Sequence, residues 1–226
     1  MPLVKIGANG YKKVLKFMNK ALIIVFVKNI KLGKVKTRLA KTIGDQGAFE
    51  VYSELVKITE RALENLSIDK RIYFSDTVVN SKWEGLYKTV QKGADLGERM
   101  KSAFLDGFHD GYNRIVLIGS DLPDIKAKHL ENGLSALIKN DVVFGPAEDG
   151  GYYLIGMRKM HEMLFNNKPW SQSNLLKETI NELEFHNITF TTLELLNDID
   201  TFEDLIASKF YQSNIELQEK IKQLHD

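Results

Sequence analysis

The chain contains no cysteine. Disulfides, zinc–thiolate sites, iron–sulfur clusters and cysteine nucleophiles are thereby excluded, and a reducing cytoplasm is the expected location. A charge excess is missing too: 31 Lys and Arg against 30 Asp and Glu leave a net charge of +1. No global field recruits nucleic acid or an anionic membrane, so charge-based function must come from local clusters. Long apolar runs are also absent. The longest, Ala21–Val27, is far shorter than the ~20 residues of a membrane span, and Lys28 follows it where a signal peptide would have a small-residue cleavage site. No repeat, low-complexity tract or linker interrupts the chain. The glycines of a Walker phosphate loop and of a G-x-G-x-x-G fingerprint are lacking as well.

What is present is a chain of 226 residues, enough for one domain with a substantial core. Residues 1–17 show no clear period and read as a loosely attached extension, with Met18 a candidate natural start and 18–226 the folded domain. Within that domain, short β-branched runs at 21–27, 71–75, 87–92, 115–118, 141–147, 152–157 and 188–193 predict strands. Helical periodicity alternates with them. A helix capped by Asp45 runs to about Leu66 as packing material, and others span 96–110 and 125–138. A further helix is opened by Pro169-Trp170-Ser171, one starts at Phe202 behind a Thr201/Asp204 capping box, and the last covers 214–224. Such alternation predicts an α/β fold with a mostly parallel sheet covered on both faces, and Asp149-Gly150-Gly151 between two apolar runs predicts a late β-hairpin.

Polar residues that strand and helix formation do not explain gather after the strands. Residues 28–41, KNIKLGKVKTRLAK, carry six cations, with Gly33 permitting a sharp turn and Lys36 and Arg38 at a helix start, a pattern suited to phosphate. A solvated basic loop is the plainer alternative. The central run 114–124, RIVLIGSDLPD, ends in Asp121, a candidate metal ligand, and Asp124, more simply a helix cap. Asp149 ahead of Gly150 and Gly151 offers more than a turn demands, because Gly-Gly lets a ligand approach the backbone. Trp170 reads as a core anchor or as a stacking platform, and Asp198 and Asp200 have no capping task. Cations beside carboxylates can simply pair, but a nucleotide phosphate with Mg²⁺ or Mn²⁺ uses both signs at once.

The blocks KNIKLGKVKTRLA, QKGADLGERM, LIGSDLPD, GPAEDGGYYLIG and DIDTFEDL, in this order, resemble a bacterial family of glycosyltransferases, also described as radical-SAM/selenodomain-associated transferases. That family falls in the nucleotide-diphospho-sugar transferase superfamily, and the resemblance spans about Met18 to Leu205. It implies a glycosyltransferase-A fold: a single-domain, Rossmann-like α/β/α sandwich. It also implies that Gly33, Lys36 and Arg38, with Lys28, form the phosphate-holding first loop, and that Gln91 and Gly93 lie near the nucleotide base. Asp121 and, ahead of Asp198, Asp200 are implied as metal-side acids. Asp149, beside Gly150 and Gly151, is implied as general base or acceptor-positioning group, with Lys36 the second catalytic candidate. More distant kin are phospholactate and molybdenum-cofactor guanylyltransferases. Two departures stand out. Ile30 replaces a common proline, and Val27-Lys28-Asn29 stands where nucleotidyltransferases have a glycine-rich loop. The leading expectation is therefore a metal-dependent glycosyl transfer from a nucleotide-sugar to a small-molecule acceptor. The alternatives are nucleotidyl transfer from a nucleoside triphosphate to a phosphorylated small molecule, and a nucleotide-binding module without turnover. The six-cation loop suits nucleotidyl transfer, and the aromatics Tyr152, Tyr153 and Trp170 suit a sugar-like acceptor.

Overall fold

A computed structural model describes residues 20–224, so the expected 1–17 extension and the candidate start at Met18 lie outside the described residues. Seven strands form one sheet in the order β3-β2-β1-β4-β6-β5-β7. They are β1 (Ala21–Val27), β2 (Asp69–Phe74), β3 (Tyr87–Val90), β4 (Arg114–Ile118), β5 (Val142–Pro146), β6 (Tyr152–Met157) and β7 (Phe190–Thr192). All pairings are parallel except those of β6, which runs antiparallel to both β4 and β5. The late hairpin is thus β5–β6. Its second strand is inserted beside the central β4, with Ile118 opposite Leu154.

The near-continuous apolar character of β1 and β4 follows from burial on both faces. Along β1 the side chains alternate: Ile23, Val25 and Val27 enter one core, and Leu22, Ile24 and Phe26 enter the other. The first core is closed by α1 (Thr37–Glu64) through Tyr52, Val56 and Leu63, and by α3 (Ala127–Ala136) through Leu130 and Leu134. The second is closed by α2 (Leu96–His109) through Met100 and Phe104, and by α4 (Leu175–Phe185) through Leu183. A third cluster joins α1 to the C-terminal helices α5 (Phe202–Ala207), α6 (Lys209–Gln212) and α7 (Ile215–Gln223), with Leu39, Leu55, Leu205 and Leu217 buried in it.

Several boundaries depart from the sequence expectation. The helix expected from Asp45 is preceded by an additional helical piece. α1 starts at Thr37 and is broken at Gly44, whose φ of 70° and ψ of 164° lie outside helical values, so its second piece begins at Asp45 directly after the kink. Asp124 does not cap α3; that helix begins at Ala127, where His129 Nδ1 accepts from Lys126 N at 3.0 Å. Pro169 does not open α4 either, because the chain first makes a turn through Ser171 (φ 63°) and becomes helical only at Leu175. The Thr201/Asp204 capping box forms as expected, with Asp204 N donating to Thr201 Oγ1 at 3.2 Å and Asp204 Oδ2 accepting from Thr201 N at 2.7 Å.

Candidate active site

The carboxyl ends of β1 and β4 and the loops beside them surround a cleft of about 600 Å³, the place where open α/β sheets bind ligands. Its first wall is the segment after β1. Lys34 N donates to Lys31 O at 3.0 Å, and Gly33, at φ 71°, lets the chain reverse there. Lys36 follows at the N-cap of α1 in the left-handed region (φ 47°, ψ 49°), a conformation costly for a residue with a Cβ. That geometry turns its side chain inward, where it is 2% exposed and donates to Asp121 Oδ2 at 2.9 Å. Arg38 stays near the surface and donates to Asp200 Oδ2, also at 2.9 Å.

The second wall is the loop after β4 together with the 197–200 segment, joined where Ile199 N donates to Asp121 O at 3.4 Å. Burial opposes the charges of both Lys36 and Asp121. Their mutual attraction outweighs it, holding the Asp121 carboxyl below its usual range and the Lys36 ammonium above its own. Among the described residues Asp198 forms no such ion pair. Burial, and then the negative charge of Asp121, push its carboxyl up to about 6, with Asp149 and Asp200 adding to the effect and Lys36 opposing it.

The site residues named from sequence do not all arrive in the cleft. Lys28, Lys36, Arg38, Gln91, Asp121, Asp149, Gly151 and Asp200 line it. Gly33, Gly93 and Gly150 are not among the lining residues. Gly33 faces Asp45, whose Oδ2 would lie 3.1 Å from a Cβ, and the Gly93 carbonyl accepts from Arg99 Nε at 3.1 Å. Gly150, at φ 87°, sits against Ser173, whose carbonyl oxygen would be 1.9 Å from a Cβ; it serves close packing of the 168–174 loop. Gln91 donates from Nε2 to Tyr73 O at 3.0 Å. Asp149 is exposed at the rim, its Oδ1 accepting from Gly151 N at 2.8 Å.

Other cleft residues escaped the sequence reading. Tyr52, on the apolar stripe of α1, is more than packing. Its hydroxyl accepts from Lys28 N at 2.9 Å and shares a hydrogen bond with Ser120 Oγ at 2.8 Å, clamping the loops after β1 and β4 together. Burial raises this phenol above its ordinary range, so it stays protonated. Helical spacing identified the position and carried no information about the hydroxyl at its end. Arg99, in the first turn of α2, also lines the cleft, as do Lys34 of the basic loop and Asp198, which the sequence placed second to Asp200. Five cations therefore meet four carboxylates in one cavity.

As a metal site the arrangement is open. Among the described residues no group of three His, Asp or Glu side chains stands ready to hold an ion. Asp121 and Asp200 are instead engaged by Lys36 and Arg38. The donor set nevertheless fits a hard divalent cation: all its ligands are carboxylate oxygens, and Asp198 forms no ion pair among the described residues, Lys36 only partly offsetting the burial that raises its carboxyl. No described helix is long and apolar enough to cross a membrane.

Comparison with known proteins agrees with this fold. The chain is 32% identical to a candidate nucleotide-diphospho-sugar transferase from Desulfovibrio desulfuricans G20, covering 90% of this chain and 97% of that one with a TM-score of 0.78. The inositol-1-phosphate CTP transferase from T. maritima shares the fold at 18% identity and a TM-score of 0.56, covering 90% and 97% of the two chains. A 2-phospho-L-lactate guanylyltransferase from Methanocaldococcus vulcanius is 24% identical over 209 residues, 89% of this chain and 90% of that protein. The relatives are transferases by name, and the fold is that of the nucleotide-diphospho-sugar transferase-like proteins. Residues 59–172, half of the chain, match the family described as "Uncharacterized protein conserved in bacteria (DUF2064)", and the chain belongs to that family.

Proposed function

We propose that this protein is a nucleotidyltransferase that moves a nucleoside monophosphate from a nucleoside triphosphate to a small-molecule acceptor. The observation that carries the proposal is the cation set. Lys28, Lys34, Lys36, Arg38 and Arg99 line a single cleft and match the charge of a triphosphate better than that of a diphosphate. The names of the guanylyltransferase and CTP transferase relatives support the same reading. The sequence had favoured glycosyl transfer on the aromatic acceptor wall of Tyr152, Tyr153 and Trp170, and the lack of a glycine-rich first loop had weighed against nucleotidyl transfer. Backbone turning there is achieved by Gly33 and by the left-handed Lys36, so that lack loses its force.

In this reading Lys36 and Arg38 leave Asp121 and Asp200 to take phosphate oxygens, and Asp149 accepts the proton of the attacking acceptor. Asp121 and Asp200, with Asp198 beside them, would hold Mg²⁺ or Mn²⁺, which when bound supplies neutralising charge to the phosphates. The Tyr52 clamp keeps the two loops in register while these partners exchange. Glycosyl transfer is the second reading, favoured by the 32% identical neighbour's description and by the aromatic wall at Trp170.

The product released decides between the two. The purified chain with Mn²⁺, a panel of acceptors and each nucleoside triphosphate or nucleotide-sugar is assayed for pyrophosphate and for nucleoside diphosphate. Triphosphate-dependent pyrophosphate release is expected, and nucleoside diphosphate release from a nucleotide-sugar would replace this reading with the second. Lys36→Ala and Arg38→Ala should each weaken triphosphate binding about tenfold or more and leave binding of the bare nucleoside unchanged.

A further inference from the structure

The two signs of charge in the cleft are segregated along the chain. Every cation that lines it comes from residues 28–38 or from Arg99. The lining contributed by residues 147–200 includes Asp149, Asp198 and Asp200 and no Lys, Arg or His. The nearest opposite charges are already engaged, Lys36 with Asp121 and Arg38 with Asp200. The rest of this half combines the apolar faces of Tyr152, Ile155, Trp170 and Leu175 with the polar Ser171 and Gln172.

That wall is fixed in place. Trp170 lies over Gly97 in the first turn of α2, where a Cβ would be 2.5 Å from Cζ2 of the indole. On its other side the 168–174 loop abuts Gly150, and Leu176 N donates to Gly150 O at 3.0 Å. Ser171, between these two anchors, holds a left-handed conformation (φ 63°), the kind of strain that persists where surrounding structure over-determines it. Tyr152 lines the cleft, and its buried hydroxyl has no hydrogen-bond partner among the described residues.

We propose that the 147–175 half of the cleft takes an acceptor with a hydroxyl nucleophile and an apolar face, and with no phosphate or carboxylate of its own. The inference rests on the nucleotidyl-transfer reading above. The acceptor O–H gives its proton to the Asp149 carboxylate, and its oxygen forms a bond to the α-phosphorus. The bond from that phosphorus to the bridging oxygen of the β-phosphate breaks, and pyrophosphate leaves with the electron pair. A phosphorylated acceptor would instead bring a dianion against Asp149, on a half of the cleft that offers it no Lys, Arg or His, a like-charge juxtaposition that suppresses wrong partners. Trp170 and Tyr152 present the surface on which an apolar ring or chain packs.

The test uses the full chain with the α,β-methylene analogue of whichever nucleoside triphosphate raises its melting temperature. Saturation-transfer NMR then compares myo-inositol, pyridoxine and benzyl alcohol with their phosphate monoesters. The alcohol of any binding pair is expected to bind at least about tenfold more tightly than its ester. Gln172→Lys, which places a cation on this wall at an exposed position, should shift the preference several-fold towards the esters. Esters that bind as well as or better than the alcohols, or an unmoved preference in Gln172→Lys, would overturn the acceptor assignment and leave nucleotidyl transfer standing. Failure of every triphosphate to bind would overturn both.

Discussion

Asp198→Asn should make the metal-free protein more stable at neutral pH. The Asp198 carboxyl is pushed up to about 6 from an ordinary 3.8, chiefly by burial and then by Asp121. Between those two values the folded chain holds a proton that the unfolded chain releases, so stability falls as pH rises through the window. At ~1.36 kcal/mol per pH unit the full penalty is roughly 3 kcal/mol, complete by pH 7.5 and about half as large at pH 5. Asparagine keeps the shape and removes the charge. Urea unfolding with EDTA present should therefore show the variant roughly 3 kcal/mol more stable at pH 7.5, with the gain halved at pH 5. For a chain of this size such a gain raises Tm by roughly 6–12 °C. Saturating Mn²⁺ should shrink or reverse the difference, because an ion held by the ionised carboxylate stabilises only the natural protein. An equal or lower stability of Asp198→Asn at pH 7.5, or a gain that does not depend on pH, would refute the electrostatic account of the cluster.

Tyr52→Phe leaves the buried Ser120 hydroxyl and Lys28 N without their shared partner and should cost about 1–3 kcal/mol. Ser120→Ala in the same chain should cost less than the sum of the two single changes, a non-additivity measurable by urea unfolding. Gly97→Ala places a methyl 2.5 Å from the Trp170 indole and 2.7 Å from Phe165 O, so a loss of several degrees in Tm is expected. Trp170→Ala should recover part of that loss, and no recovery would remove Trp170 as the cause.

Much of the architecture was legible because it is written locally. The β1 run and the Thr201/Asp204 box each specify their structure within a few residues, and both formed where expected. The parallel sheet and the late hairpin followed from the order of such pieces. Ends of helices were harder. Asp124 and Pro169 carry good capping and initiating chemistry, yet His129 took the first task and the anchored 168–174 turn postponed the second. Those outcomes depend on neighbours distant in sequence. In the cleft, sequence identified the basic loop and Asp121, but it could not pair Lys36 with Asp121 across 85 positions. It ranked Asp200 above Asp198, and only burial reveals Asp198 as the more strained carboxylate. Tyr52 was invisible as a clamp because a helical stripe reports which side a residue faces and says nothing of what its last atom reaches.

The reversed direction of β6 has a consequence for how such a protein can change. Because β6 runs against β4 and β5, the turn that precedes it emerges at the same edge of the sheet as the carboxyl ends of the parallel strands. One stretch, from Ala147 to Leu175, thus furnishes a large part of the cavity wall, while every cation of that wall comes from residues 28–38 or from Arg99, before β4 begins. The two contributions are separate in the chain. Substitutions in the loops on either side of β6 would therefore alter which molecule is modified while leaving the cations of the wall untouched.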